Sequence, residues 1–467
     1  MAKYCVTTPI YYVNDVPHIG HAYTTVAADV LARFWRKNLG EENVFFLTGT
    51  DEHGAKVAQA AQNAKLTPKE FADKVAPEFE KVWQELRISY NHFFRTTDPR
   101  HEKIVQQILQ KLFEDGHVYE GVYEGLYCEG CERFYTEEEL VDGKCPLHPN
   151  REPQYQKEKN YFFKLSSFKE ELVRIFETGE VKILPESRKN EVLGKLAGEL
   201  KDVSLSRESV SWGIPIPWDS SQTCYVWFEA LLNYYTATQF LENKEKFWPA
   251  DVHLMAKDIL WFHTVIWVAL LKAAGLPLPK IVFAHGFFTV NGQKMSKSLG
   301  NVIAPKELVE KFGSDATRYL LLGEFPFGQD GDFSLEKLTV KYNADLANGF
   351  GNLVSRVAKL CENERLEVEE YKGDFDSRFE KLFSEFNFTE ILALTAEKVT
   401  EANREVNEKK PWELEKGEKV KVLKSLAQKI QHIAFNLSPF LPTVSEKVLQ
   451  QFSGEIKVDK PLFPRIK

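Results

Sequence analysis

Short β-rich runs alternating with helix-period stripes occupy two blocks of the chain, and about a hundred residues of different character lie between them. That arrangement restricts the fold more than any other feature. In the first block YCVTT, Tyr4 to Thr8, and NVFFLT, Asn43 to Thr48, read as strands, with Pro9 and a turn closing the first. Between them Val26, Val30 and Phe34 recur at every fourth position with Leu31 alongside, the apolar stripe of a helix. A Tyr-, Gly-, Cys- and Glu-rich segment follows from about residue 116. The alternation resumes near Tyr225 with YVWFEALLNYY, VHLMAKDI and IVFAHGFF. Parallel strands need crossovers of this kind, so the fold class expected is α/β, one parallel nucleotide-binding sheet carrying an insertion. From Lys341 onward, segments such as SLAQKIQHIAFNL (Ser425 to Leu437) are amphipathic with few strand signals, which predicts an α-helical bundle. The expected division is 1–115 and 225–290 for the sheet domain, 116–224 for the insertion, 291–340 for a connecting segment and 341–467 for the bundle.

Composition excludes several classes. With 43% hydrophobic and 27% charged residues, the 467-residue chain is ordinary for a globular protein. One of its longest apolar runs, Val265 to Leu271, is far short of the ~20 residues that span a bilayer. No signal peptide is read at MAKYCVTTPIYYV, so no membrane association is expected. Three of the six cysteines fall between Cys128 and Cys145, which argues against a disulfide framework and for a reducing, cytoplasmic setting. A net charge of −8 argues against a generally basic surface but leaves room for a local phosphate-binding face.

Three motifs carry chemistry. HIGH, His18 to His21, stands where the first helix begins. Its glycine permits close approach to the backbone and the helix N-terminus favours anions, so the two imidazoles suit phosphate or a helix cap; as metal ligands they would lack a nearby third partner. KMSKS, Lys294 to Ser298, sits in NGQKMSKSLGN; the mobile ammonium groups of Lys294 and Lys297 suit a triphosphate whose charge shifts during reaction. Cys128 and Cys131 form a CxxC, and Cys145 and His148 a CxxH. Four such ligands in two knuckles fit one closed tetrahedral zinc site, which leaves no position for a reacting water and is therefore structural.

HIGH and KMSKS, in this order across an interrupted strand–helix pattern, resemble the class I aminoacyl-tRNA synthetases. TTPIYYVNDVPHIGHAY, FLTGTDEHG, YVWFEALLNYY, AKDILWFH and KKPWEL narrow the resemblance to the methionyl-tRNA synthetases, in the subgroup with a single zinc. It implies a Rossmann-type catalytic domain with a zinc-bearing insertion, and a helical bundle that reads the anticodon. The activity implied is ligation of methionine to tRNA(Met), elongator and initiator, with ATP and its Mg²⁺. The resemblance assigns His18, Gly20, His21, Asp258, Lys294 and Lys297 to ATP, the histidines and lysines being catalytic. It assigns Ile10, Tyr12, Asp51, Trp227, Ala230, Tyr234, Ile259 and His263 to methionine. Aromatic walls suit a flexible, polarizable thioether, and Asp51 suits an ammonium; without the resemblance, Trp227 and Tyr234 read as core. Asn352, Arg356 and Trp412 are assigned to the anticodon, Trp412 as a stacking platform unless it is buried.

Two positions depart from the family pattern. Ala256 stands where GKDI is usual, placing a methyl near the nucleotide's approach, and Glu229 stands where WFDA carries aspartate. A synthetase for leucine, isoleucine or valine is a rival, but differences of about 1–3 kcal/mol oblige those enzymes to edit, and the insertion is too small for their editing domain. A silent tRNA-binding protein is the rival from another class. Many relatives carry a C-terminal dimerisation domain that is not seen here, so the expectation is a monomer, or a partner subunit that supplies that part.

Overall fold

The computed structural model describes residues 2–128, 133–135, 137–146, 152–290, 292–295 and 302–467. Its central sheet has six strands: β1 (Tyr4–Tyr12), β2 (Val44–Asp51), β3 (His92–Arg95), β4 (Lys182–Leu184), β5 (Val252–Ala256) and β6 (Ile281–His285). Their order is β3-β2-β1-β5-β6-β4. The pairings β1–β2, β2–β3, β1–β5 and β6–β4 are all parallel. Chain direction across the sheet reverses at β1, and in doubly wound sheets ligands bind beyond the carboxyl ends of the strands at such a switch point.

The turn expected at Pro9 is not there. β1 runs through the proline to Tyr12, and its register against β2 shifts between Thr7 and Ile10. Proline has no N–H to give to a ladder, so the strand passes it with an irregularity rather than ending. YVWFEALLNYY forms two helices, Val226–Leu231 and Asn233–Phe240, while VHLMA and IVFAH supply β5 and β6. Strand β4 lies inside the stretch read as insertion, yet pairs with β6 at the sheet edge.

Two compact units divide the chain. The first comprises Met1–Val16, Leu39–Lys81 and Tyr90–Ala284; the second comprises Pro17–Asn38, Val82–Ser89 and His285–Lys467. In the first, the apolar helix Trp267–Ala274 packs with Cys5, Phe45, Leu47, Met255 and Val282 of the strands in a continuous core. The insertion contributes a four-stranded antiparallel sheet in which Val118–Cys128 pairs with Gln154–Phe163.

The second unit is mainly helical. Helix Leu335–Lys341 continues through a π-helical stretch, Tyr342–Gly351, into Asn352–Asn363, beside Phe388–Lys409, Lys416–Leu437 and Pro442–Gln451. The long helix Ile19–Leu39 belongs to this unit up to Asn38, and one of its contacts there is a buried ion pair. Arg318 and Asp29 are both wholly buried and meet at 2.7 Å. Arg318 also donates to the carbonyls of Phe440 (3.0 Å), Leu86 (3.1 Å) and Pro439 (2.7 Å). The backbone N–H and hydroxyl of Ser89 donate to the other Asp29 oxygen, at 2.6 and 2.5 Å. Satisfaction this complete is what a buried ion pair requires to exist at all. Among the described residues no helix is long and apolar enough to cross a membrane.

Candidate active site

Carboxyl ends of the strands in the first unit carry three of the eight residues assigned to methionine, and two more follow β5. Register pairs Tyr12 with Asp51, the last residues of β1 and β2, and Ile10 with Gly49. Asp51 is buried, whereas Ile10 and Tyr12 are half-buried. Beyond β5, Ala256 is half-buried, Asp258 exposed and Ile259 half-buried. His263 follows on a π-helical turn, Phe262–Ile266, a distortion often found at functional sites.

From the two helices of YVWFEALLNYY come Trp227, Ala230 and Tyr234. The Tyr234 hydroxyl lies 2.8 Å from His263 Nε2, and His263 Nδ1 lies 3.0 Å from the Ile259 carbonyl. A carbonyl only accepts, so Nδ1 carries the proton and Tyr234 donates to Nε2. Burial lowers the His263 pKa to about 4 and raises that of Tyr234, on which the Asp51 charge also acts. At neutral pH the pair is therefore uncharged. Trp227 stacks on Phe262 at 3.8 Å, with its ring centre 6.3 Å from His263. Ile10, Tyr12, Trp227 and Ile259 thus offer accessible apolar surface beside one buried carboxylate and one neutral hydrogen-bonded pair. Such a set suits a ligand with an apolar arm and an ammonium group.

In the second unit the two signature motifs come together. A Cβ built at Gly20 would stand 2.9 Å from His18 Cε1 and 3.9 Å from Met295 Cε, so glycine lets the helix start lie this close to both. The Ile19 N–H donates to the Ile303 carbonyl at 3.1 Å. His18 and His21 stack at 3.8 Å. His18 Nδ1 accepts from the Gly20 N–H (3.1 Å) and His21 Nδ1 from the His18 N–H (3.3 Å). Both rings must then carry their proton on Nε2. Burial lowers the His18 pKa to about 4, and burial together with His18 lowers that of His21. The motif presents two neutral donors, suited to anionic oxygens; a metal would need Nδ1 or Nε2 as a lone pair, and Nδ1 is taken. Lys294 lies in the hairpin strand Gln293–Lys294, paired through Thr289, after a turn at Gly292 (φ 75°). Lys297 lies outside the described residues.

Cys128 ends the long strand Val118–Cys128 and is buried with Cys145 and Tyr135 in one small cluster, with the half-buried Leu140 packed against it. Cys131 and His148 lie outside the described residues, and among those described no group of three potential ligands forms. On the helical unit Asn352 is exposed and Arg356 half-buried; Arg356 donates to Asn407 Oδ1 at 2.9 Å. That bond ties helix Asn352–Asn363 to the end of helix Phe388–Lys409, from which the turn Pro411–Glu413 follows. Trp412 is 50% exposed there, so its burial in a core is ruled out.

Sequence reading did not identify the two partners of Glu229, His53 and His101. Glu229, wholly buried, lies 3.0 Å from His53 Nδ1 and 3.1 Å from His101 Nε2. The available signal was the departure itself, a glutamate one residue from Ala230 on a helix otherwise apolar.

A family model described as class I tRNA synthetases (M) matches residues 4–152 and 147–358. The methionine–tRNA ligase of Caldanaerobacter subterraneus is 45% identical over 96% of the chain and 73% of its own length. That of Thermotoga maritima is 43% identical over 98% of the chain and 76% of its own length. A Mycobacterium tuberculosis methionyl-tRNA synthetase, solved in complex with methionyl-adenylate, superposes with TM-score 0.92 at 34% identity, covering 100% of both chains.

Proposed function

This chain belongs to the methionyl-tRNA synthetases, and from that premise we propose how its own residues carry the reaction. The activity is ATP-dependent ligation of methionine to tRNA(Met). In the first step a methionine carboxylate oxygen attacks the α-phosphorus of ATP, the bond to the bridging oxygen breaks, and pyrophosphate leaves methionyl-adenylate. The terminal adenosine hydroxyl of the tRNA then attacks the carbonyl and AMP leaves.

Asp51 accepts hydrogen bonds from the methionine ammonium, with Ile10, Tyr12, Trp227, Ala230, Tyr234, Ile259 and His263 around the side chain. The observation that carries this assignment is the neutral Tyr234–His263 pair beside Asp51 and Trp227. His18 and His21 donate from Nε2 to phosphate oxygens, Gly20 gives the nucleotide access to the backbone, and Asp258 contacts the nucleotide. Lys294 and Lys297 neutralise the departing pyrophosphate. The protein's contribution is position and charge, with little covalent chemistry of its own. Mg²⁺ arrives with ATP. A cytoplasmic setting fits its substrates.

Labelled methionine charged onto a tRNA with a CAU anticodon tests the tRNA half. Trp412→Ala is expected to lower that charging by about one to two powers of ten in RNA affinity, the worth of one stacked base. Methionine-dependent ATP–pyrophosphate exchange should stay near wild type. Equal loss of both activities would contradict the stacking role, since an exposed indole supports little of the core.

Zinc fits the insertion by donor chemistry, because two of the four proposed ligands, Cys128 and Cys145, already share one buried cluster. Cys131 and His148 complete the set. When bound, the ion would cross-link a segment whose described residues form only a small apolar cluster. Cys145→Ser is expected to lose the metal and destabilise the insertion, because a hydroxyl is a much poorer zinc ligand than a thiolate. Elemental analysis of wild type purified without chelators should find one zinc per chain, and finding none would contradict the assignment.

A further inference from the structure

Behind the pocket runs a buried hydrogen-bond chain that neither half-reaction uses. Glu229 sits on helix Val226–Leu231 with no exposed surface. One carboxylate oxygen is 3.0 Å from His53 Nδ1 and the other 3.1 Å from His101 Nε2. His101, also fully buried, meets the Thr236 hydroxyl through Nδ1 at 2.8 Å. Because a carboxylate only accepts, both ring nitrogens facing it must carry protons.

Three of the four members lie within two residues of one assigned to methionine. His53 is two residues beyond Asp51, Glu229 stands between Trp227 and Ala230, and Thr236 is two residues beyond Tyr234. The fourth member, His101, is on helix Pro99–Glu114, which carries no pocket residue and gives the other three a common anchor. A fully satisfied buried polar network rigidifies the segments it joins. Glutamate is one methylene longer than aspartate, and here one carboxylate bridges two histidines on separate elements.

Burial works against charge on both partners. Even so, Glu229 is held below the usual carboxylate range by its two histidines, and His53 above the usual imidazole value by Glu229, with Glu102 and Glu52 adding to the effect. The chain is therefore bound most tightly through its charged form.

We propose that Glu229 is a positioning residue that, through His53, His101 and Thr236, fixes the spacing of Asp51, Trp227 and Tyr234 around methionine. The proposal rests on the methionine assignment above. Its alternative is a satisfied buried network that stabilises the fold and nothing more.

Glu229→Gln separates the two. The amide keeps the shape, but its NH₂ must face a ring N–H that formerly met an acceptor. In ATP–pyrophosphate exchange the methionine KM should rise about tenfold or more, with kcat within about threefold and the ATP KM unchanged. Glu229→Asp, which reaches only one histidine, should give a smaller rise in the same constant. His101→Asn carries the same test if Glu229→Gln does not fold, as circular dichroism and melting would show. Wild-type methionine KM in folded variants, or a fall in kcat alone, would overturn the positioning role. An unsubstituted protein without methionine-dependent exchange would instead overturn the methionine assignment.

Discussion

Alanine at Lys297 is expected to slow methionyl-adenylate formation by about two to three powers of ten, while methionine affinity changes far less. Its ammonium should matter most once charge has moved onto pyrophosphate, an interaction made in the transition state and absent before it. Pre-steady-state measurement of adenylate formation, with methionine binding followed separately, reads the two quantities apart. A rise in the methionine KM with an unchanged rate of adenylate formation would remove Lys297 from this role.

Loss of Asp29 should have the largest effect on stability. Asp29→Ala leaves Arg318 buried with its charge unbalanced, and breaking a pair of this kind costs about 3–5 kcal/mol. Burial pushes the Asp29 carboxyl up, but Arg318, Arg33 and Ser89 together more than reverse that and hold it below its usual value. A depressed carboxyl contributes stability that is fully present above its unfolded pKa, near 3.8, and lost as pH falls through the folded value. Chemical denaturation should therefore show a gap between Asp29→Ala and wild type that is constant from neutral pH to about pH 5 and narrows below 4. A gap below about 1 kcal/mol at pH 7 would mean that Arg318 does not depend on this partner.

Much of the arrangement was legible because periodicity and punctuation act locally. Val26, Val30 and Phe34 announced a helix with HIGH at its start, and NVFFLT announced β2. Legibility failed where a residue's fate depends on a distant partner. Asp29 lies three positions after Val26 on the buried face, so a partner was required, but nothing nearby in sequence named Arg318. His53, His101 and Glu229 are likewise scattered over more than a hundred and seventy positions and meet only in the fold. Pro9 misled because a proline reads as a stop, while β1 tolerates it through a shift in register. Strand β4 is three residues long, too short for any period to show.

Methionine-dependent ATP–pyrophosphate exchange by the purified chain bears most directly on the central claim. With ATP, Mg²⁺ and labelled pyrophosphate, methionine should stimulate exchange at least about a hundredfold more efficiently than leucine, isoleucine or valine, a margin a pocket built around a thioether can reach without editing. No exchange with methionine, or equal exchange with the three branched amino acids, would contradict the account.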